Sequence, residues 1–506
     1  MSTSLIIAIA YFLILSIGTS LFLGRKVKSG TDLVTGSRTF AWPLVTAAFV
    51  LAPLGSGHTF ALWEAQAGLG ASVLWWGIIA GGIFVPLFLL WFGPWFRQLK
   101  VHTFPEGMGK IFGENIGWLI AAVFPVQLIG ICIAEVLATA LAFWTLGGES
   151  ISLQTCTYMA VGFTIIYIVV AGLMQVAWMN LFNAIMLILG SFAAVIATSI
   201  WLAGDKAAAL LQQDGASGWS AVADFYTNRP LHTSILNFSD PVMFGWILPC
   251  IVLVVFMCSA SQAQYQPMML AKSDSDVRKG TFFASIVNSM VTYPWVILGL
   301  VAMAIPVIAE TEPRFCVPKL ALLSLPPWMV GILMVSLLSA TLSTTSQLIL
   351  ASSHLIVHDI FKKAVNPRMS DKTFLILTRL MILVCAVLVI IPALKIGKQT
   401  VMPIFFWTFS FGIPVFGVYL IGMVWKVNKV AAWVTMLAGY GANFLWTFAP
   451  ELWMPAKLSI VSLNKPVYAT ILATLIFGIV LNLILPGKPG YLRQMKAAKQ
   501  NESVPA

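Results

Sequence analysis

The sequence predicts an all-α integral membrane protein of about 13 transmembrane helices, arranged as a 5+5 inverted repeat with its N-terminus outside and its C-terminus inside. Three observations carry that expectation. The 506 residues are 59% hydrophobic and 9% charged, against roughly one-quarter charged in soluble domains, and the mean hydropathy is +0.92. Apolar runs of about 20 residues, long enough to cross a bilayer, recur along the chain. Basic residues are divided unequally between alternate loops, as a fixed orientation in a membrane requires.

The runs fall at roughly 4–24, 40–68, 73–96, 116–146, 153–173, 176–203, 243–266, 281–309, 327–357, 373–394, 401–424, 430–449 and 467–485. The first, from Ser4 to Leu23, lacks the basic leader and small-residue cleavage site of a secretory signal and reads as a retained span. With the N-terminus outside, the inner segments hold Arg25, Lys26, Lys28, Arg38, Arg97, Lys100, Lys110, Lys272, Arg278, Lys279, Lys362 and Lys363, and an inner tail adds Lys488, Arg493, Lys496 and Lys499. The net charge of +11 therefore reports topology, and no nucleic-acid signature accompanies it. After a first helix and inner loop (1–39), five spans fill 40–203 and five more fill 243–424. An outer loop (204–242) separates the two sets, and two helices with a cytoplasmic tail follow (425–506). An odd-numbered unit repeated once must sit upside down relative to its first copy, the plan of many secondary transporters.

That plan places a discontinuous helix at the head of each unit. The run at 40–68 is interrupted by Ala52-Pro53-Leu54-Gly55-Ser56-Gly57, where Pro removes a donor and two glycines weaken the helix. Hydrocarbon offers unpaired backbone groups no partner, so such a break implies surrounding protein or water, with carbonyls free to coordinate an ion or a solute. A plain proline kink is the alternative. In the second unit, Pro249 and the polar stretch from Cys258 to Pro267 mark the counterpart, read either as interfacial solvation or as part of an inner gate. The run at 327–357 carries Ser339, Thr341, Ser343, Thr344, Thr345, Ser346, Ser352 and Ser353. Neutral hydroxyl and carbonyl oxygens suit a small hard cation such as Na+; close packing of small residues is the competing explanation. Cys132, Cys250, Cys258 and Cys385 lie in apolar runs and no C-x-x-C pair occurs, so neither a disulfide framework nor a metal–thiolate site is implied.

Several motifs give the chain a family likeness. Gly24-Arg25-Lys26-Val27-Lys28 with Thr35-Gly36-Ser37-Arg38-Thr39, the Thr103-Phe104-Pro105-Glu106 loop, Gln266 with Leu270-Ala271-Lys272-Ser273, and the stretch Leu342-Ser343-Thr344 to Ser352-Ser353, ending His358-Asp359-Ile360-Phe361-Lys362, resemble segments of the sodium:solute symporter family. The resemblance implies a LeuT-type fold and a Na+ site made of the Ala52 and Gly55 carbonyls, the Ala340 carbonyl and the hydroxyls of Ser343 and Thr344. It places a solute beside that site, near Ser56, Gly57, His58 and Thr59. Three departures stand out. Asn180 replaces the family's acid in the fifth core helix, which argues against a second sodium; Pro267 replaces an Arg, and Leu54 replaces the Asp of proline transporters.

Two acids, Glu64 and Glu135, fall inside apolar runs, where a carboxylate costs roughly 2.5–3.5 kcal/mol and should face a cavity or a partner. For Glu135 three roles stand open: pairing a cationic solute, carrying a coupling proton, or bracing the fold in protonated form. His58 is open between solute contact, proton carrier and buried polar residue. Among 19 Trp, several fall in runs near the expected central cavity, and aromatic faces with one acid would suit an ammonium group. The candidate solute contacts are Ser56, Gly57, His58, Thr59, Glu135, Trp246, Gln262 and Asn288. The expected activity is Na+-coupled symport of a small polar solute, pointing towards an amine, quaternary ammonium or zwitterionic compound, by a multi-pass protein of the plasma membrane. A proton-coupled or uncoupled transporter of the same fold is the alternative, and a membrane solute sensor the alternative of another class. An enzyme is not expected: no phosphate-binding Gly-rich loop or H-E-x-x-H occurs, and His354 and His358 have no acid between them.

Overall fold

Within the described residues, every apolar run expected to cross the bilayer is largely helical, in one helix or in consecutive helices. The computed structural model describes residues 2–23, 39–52, 54–169, 172–211, 217–227, 247–398, 401–449 and 466–502. Pro53, Trp246 and the loop motifs from Gly24 to Lys28 and from Thr35 to Arg38 lie outside the described residues.

In chain order the main helices are α1 (Thr3–Leu23), α2 (Trp42–Leu51), α3 (Ser56–Leu69), α4 (Trp75–Gln98), α5 (Phe104–Phe112), α6 (Glu114–Leu146), α7 (Leu153–Val169) and α8 (Gly172–Leu202). They continue as α9 (Leu248–Ser259), α10 (Gln262–Leu270), α11 (Asp274–Ala304), α12 (Pro327–Val365), α13 (Asp371–Ile396), α14 (Pro403–Val424), α15 (Lys429–Phe448), α16 (Pro466–Ile484) and α17 (Tyr491–Glu502). Among the described residues eight are long and apolar enough to span a membrane, or ten if each bent pair is one span, against an expectation of about 13. The runs at 4–24 and 153–173 give shorter apolar helices, and Lys429–Phe448 is not among the eight. The sides carry exposed Ile14, Leu87, Trp91, Leu189, Ile200, Ile376 and Leu483, the apolar surface a lipid environment demands.

Both breaks fall inside the two runs that carry them in sequence. Helices α2 and α3 meet at 45°, and α9 and α10 at 40° around Ala260 and Ser261. The chain entering α2 pairs with the chain leaving α10 in a parallel bridge. Phe40 N–H donates to Leu270 O and Lys272 N–H donates to Phe40 O, each at 3.0 Å. Arg97 closes over this junction, donating to Ala271 O (3.0 Å), Lys272 O (2.7 Å) and the Asp274 carboxylate (2.8 Å).

The Thr103-Phe104-Pro105-Glu106 loop is a helix start. Thr103 Oγ1 accepts from Glu106 N–H at 3.1 Å, Glu106 Oε2 accepts from His102 N–H at 2.9 Å, and Pro105 sits where a helix has no N–H to lose. Ser261, Ser273, Ser370 and Asn428 cap α10, α11, α13 and α15 in the same manner. The first ten residues of α4, Trp75–Phe84, wind as a π-helix, and α12 continues past the expected end at 357 as a π-helical segment, Leu355–Val365.

Candidate functional site

Helix α2 ends at Leu51, with Ala52 N–H still bonded to Ala48 O at 3.1 Å, and α3 starts at Ser56 with Gly55 as its N-cap. A helix end leaves carbonyls without intrahelical donors, and a helix start leaves N–H groups without acceptors. Helix α12 lies across both. Thr344 Oγ1 donates to Leu51 O at 2.6 Å, and Ser56 Oγ donates to Leu337 O at 2.6 Å. Ser56 N–H donates to Thr341 Oγ1 at 3.3 Å. The hydroxyl-rich helix thus binds both sides of the break.

The residues named for a Na+ site come together here. Ala340 O accepts from Ser343 Oγ (2.7 Å) and Thr344 Oγ1 (3.0 Å), while Gly55 O accepts from Thr59 N–H (3.2 Å) and Thr59 Oγ1 (3.3 Å). Each hydroxyl has one proton and two lone pairs. With the protons of Ser343 and Thr344 turned onto carbonyls, their lone pairs are left for a cation, whereas the Ala340 and Gly55 carbonyls each already accept two hydrogen bonds and would have to exchange one for an ion.

The break holds a carboxylate as well. Glu135, on α6 and 1% exposed, accepts from Gly57 N–H at 2.9 Å through Oε2. It sits at the positive end of α3, where backbone dipoles favour an anion. A Cβ on Gly55 would run into this carboxyl group, and a Cβ on Gly57 would lie 3.0 Å from its Cδ and 2.9 Å from Phe405 Cζ. Below it, Thr139 Oγ1 contacts Glu135 O (2.9 Å) and Thr341 Oγ1 (2.5 Å), fastening α6 to α12. Between the two breaks lies a cavity of about 10 Å³ whose lining includes Ala52 at the end of α2 and the polar side chains of Glu135, Cys258, Ser261, Gln264 and Thr344.

The remaining candidates are scattered around this centre. His58 is buried edge-on to Trp76, ring centroids 5.0 Å apart, and its Nε2 has no hydrogen-bond partner among the described residues. Asn288, on α11, packs against Gly81 of the π-helical segment that carries Trp76. Gln262 is turned away from the break: its Oε1 accepts from Phe104 N–H at 2.6 Å and so anchors α5. Glu64 accepts from Val401 N–H at 3.3 Å. Burial pushes the neighbouring Arg314 guanidinium below its ordinary pKa, and the Glu64 carboxylate opposes that shift. Asn180 is buried on α8. Leu51, Leu337 and Thr139 did not stand out in the sequence; the first two act through their carbonyls, to which side-chain identity is no guide.

A family model described as the sodium:solute symporter family matches residues 33–439. A sodium/glucose cotransporter of Vibrio parahaemolyticus is 22% identical over 464 residues, covering 83% of this chain and 80% of the relative. A sodium/proline symporter of Haemophilus influenzae is 26% identical over 415 residues, covering 75% and 77%. Among solved structures, a Na+-coupled sialic acid symporter with substrate bound in an outward-open state superposes with a TM-score of 0.78 at 16% identity, over 96% of this chain and 99% of that one. At that identity the likeness speaks for the fold, which is of the LeuT type.

Proposed function

The chain belongs to the sodium:solute symporter family, and from that premise we propose that it takes a small polar solute across the plasma membrane by Na+-driven alternating access. The observation that carries the Na+ site is the bond from Thr344 Oγ1 to Leu51 O, 2.6 Å, which joins the open end of α2 to the hydroxyls of α12. The proposed ligands are the carbonyls of Ala52, Gly55 and Ala340 and the hydroxyls of Ser343 and Thr344. These are neutral oxygens, able to replace part of a monovalent ion's hydration without holding it too tightly to release. The proposed repeats are 40–203 and 243–424, with the N-terminus outside and the C-terminus inside.

The solute site is proposed beside the break, against His58 and Trp76, with an amine, quaternary ammonium or zwitterionic compound as the class. Aromatic faces support that class through cation–π attraction. Glu135, the acid expected to pair an ammonium, is bonded to Gly57, so the class rests on the aromatic residues alone.

Reconstituted protein in liposomes tests the reading. An inward Na+ gradient should drive accumulation of a labelled amine or zwitterion, and Thr344→Val should abolish the Na+ dependence. Uptake of sugars or polyols alone would overturn the solute class and leave symport standing. Uptake driven equally by K+, or by a pH gradient alone, would overturn Na+ coupling.

A further inference from the structure

The cavity between the two breaks has a composition that the neutral Na+ site does not account for. Glu135 is buried, at membrane depth, and among the described residues no Lys or Arg forms an ion pair with it. A carboxylate in such surroundings needs a counter-charge or a proton. Its bond to Gly57 N–H and the partial positive charge of the α3 N-terminus offset part of that need. The remainder faces a cavity of about 10 Å³, close to the least room that admits one water molecule. An ammonium-bearing solute does not fit there; a single small cation does.

The other polar side chains of the lining are Thr344, Gln264 and Ser261, which bring oxygens, and the Cys258 thiol. Thr344 Oγ1 has spent its proton on carbonyls. Gln264 is 2% exposed, its side chain bonds with the Cys258 thiol on the same wall, and its Oε1 has no hydrogen-bond partner among the described residues. Ser261 stands at the second break, while Ile131, Met257, Leu348 and Phe409 form the apolar part of the wall. Carboxylate, hydroxyl and amide oxygens around one water-sized space suit a hard cation.

We propose that Glu135 is a charged ligand of the coupling cation, which meets it in this cavity at the edge of the neutral set, where Ala52 and Thr344 of that set face Ser261 and Gln264 of the second break. The inference rests on the Na+-symport reading above and extends it. The ion touches both broken helices, and the negative charge absent at Asn180 is supplied from α6. Glu135 then serves the ion and not the solute.

The test is a Na+ titration of thermal stability of the purified full-length protein in choline salt at constant ionic strength. The variants are Glu135→Gln, Glu135→Asp, Gln264→Met and Ser343→Ala. The expected result is stabilisation of the wild type, with half-saturating Na+ raised at least tenfold in Glu135→Gln and about threefold to tenfold in Gln264→Met. Glu135→Asp should fall between Glu135→Gln and the wild type. If Glu135→Gln does not fold, the Gln264→Met and Glu135→Asp titrations decide the matter by themselves. Wild-type half-saturation in the Glu135 and Gln264 variants, together with its loss in Ser343→Ala, would overturn the role of Glu135 and leave Na+ coupling intact. Absence of any Na+ effect on the wild type would overturn both.

Discussion

Replacing Gly55 with alanine isolates the contact between the first break and α6. Gly55 has φ −76° and ψ 172°, an extended conformation open to any residue, so backbone strain contributes nothing to the outcome. The new Cβ would run into the Glu135 carboxyl group. Overpacking of this kind costs about 1–3 kcal/mol. If the carboxyl group moves aside instead, it gives up its bond to Gly57 N–H, 2.9 Å, worth about 1.5–3 kcal/mol for a charged acceptor. Movement relieves the first cost by incurring the second, so the expected loss is about 2–3 kcal/mol and not their sum. The assay is SDS-titrated unfolding in mixed micelles at fixed Na+, on Gly55→Ala, Glu135→Ala and the double variant. Once the carboxyl group is gone, the added methyl has room, and Gly55→Ala should cost less than about 0.5 kcal/mol, leaving a coupling energy near 2 kcal/mol. Additivity of the two substitutions within about 0.5 kcal/mol would refute the contact.

Two further outcomes follow from the ends of the helices. Thr103→Ala should cost about 1 kcal/mol by removing the cap of α5, with Thr103→Ser close to wild type; equal losses in the two variants would show that the hydroxyl is not the cap. Arg97→Ala removes three bonds from the Phe40–Ala271 junction. A cysteine placed at the buried Leu270 should then react with a soluble thiol reagent about tenfold faster, equivalent to about 1.4 kcal/mol of easier opening; an unchanged rate would remove Arg97 from the closure.

The first break was legible because Pro and Gly remove backbone bonds wherever they occur, and the second was marked by the polar stretch after Cys258. The hydroxyls of α12 were legible as a cluster but their partners were not: Ser343, Thr344, Thr345, Ser346, Ser352 and Ser353 all bond back to carbonyls of the preceding turn, and Thr344 alone of these six also reaches across to Leu51 O. The purpose of Gly55 and Gly57 was not legible either. In sequence they read as helix weakness, whereas in the fold they make space for a carboxylate 78 residues from Gly57. No local pattern announces a contact of that kind. Gln262 belongs to the same polar stretch as Gln264, yet one anchors α5 and the other lines the cavity, a division set by the roughly 200° that two residues turn around α10. The π-helical winding of Trp75–Phe84 was also invisible, because the same apolar residues serve an α-helix equally well.

The bridge between Phe40 and Ala271 joins the chain just before one broken helix to the chain just after the other. Neither half-helix at that end can swing out alone while its two backbone bonds hold. While the bridge holds, departure of α2 and departure of α10 are tied together, and Arg97, gripping Ala271, Lys272 and Asp274, steadies the α10 side of the tie. If this end is where an ion leaves, two half-helices latched in this way would part together and offer it no leak path past a half-released door.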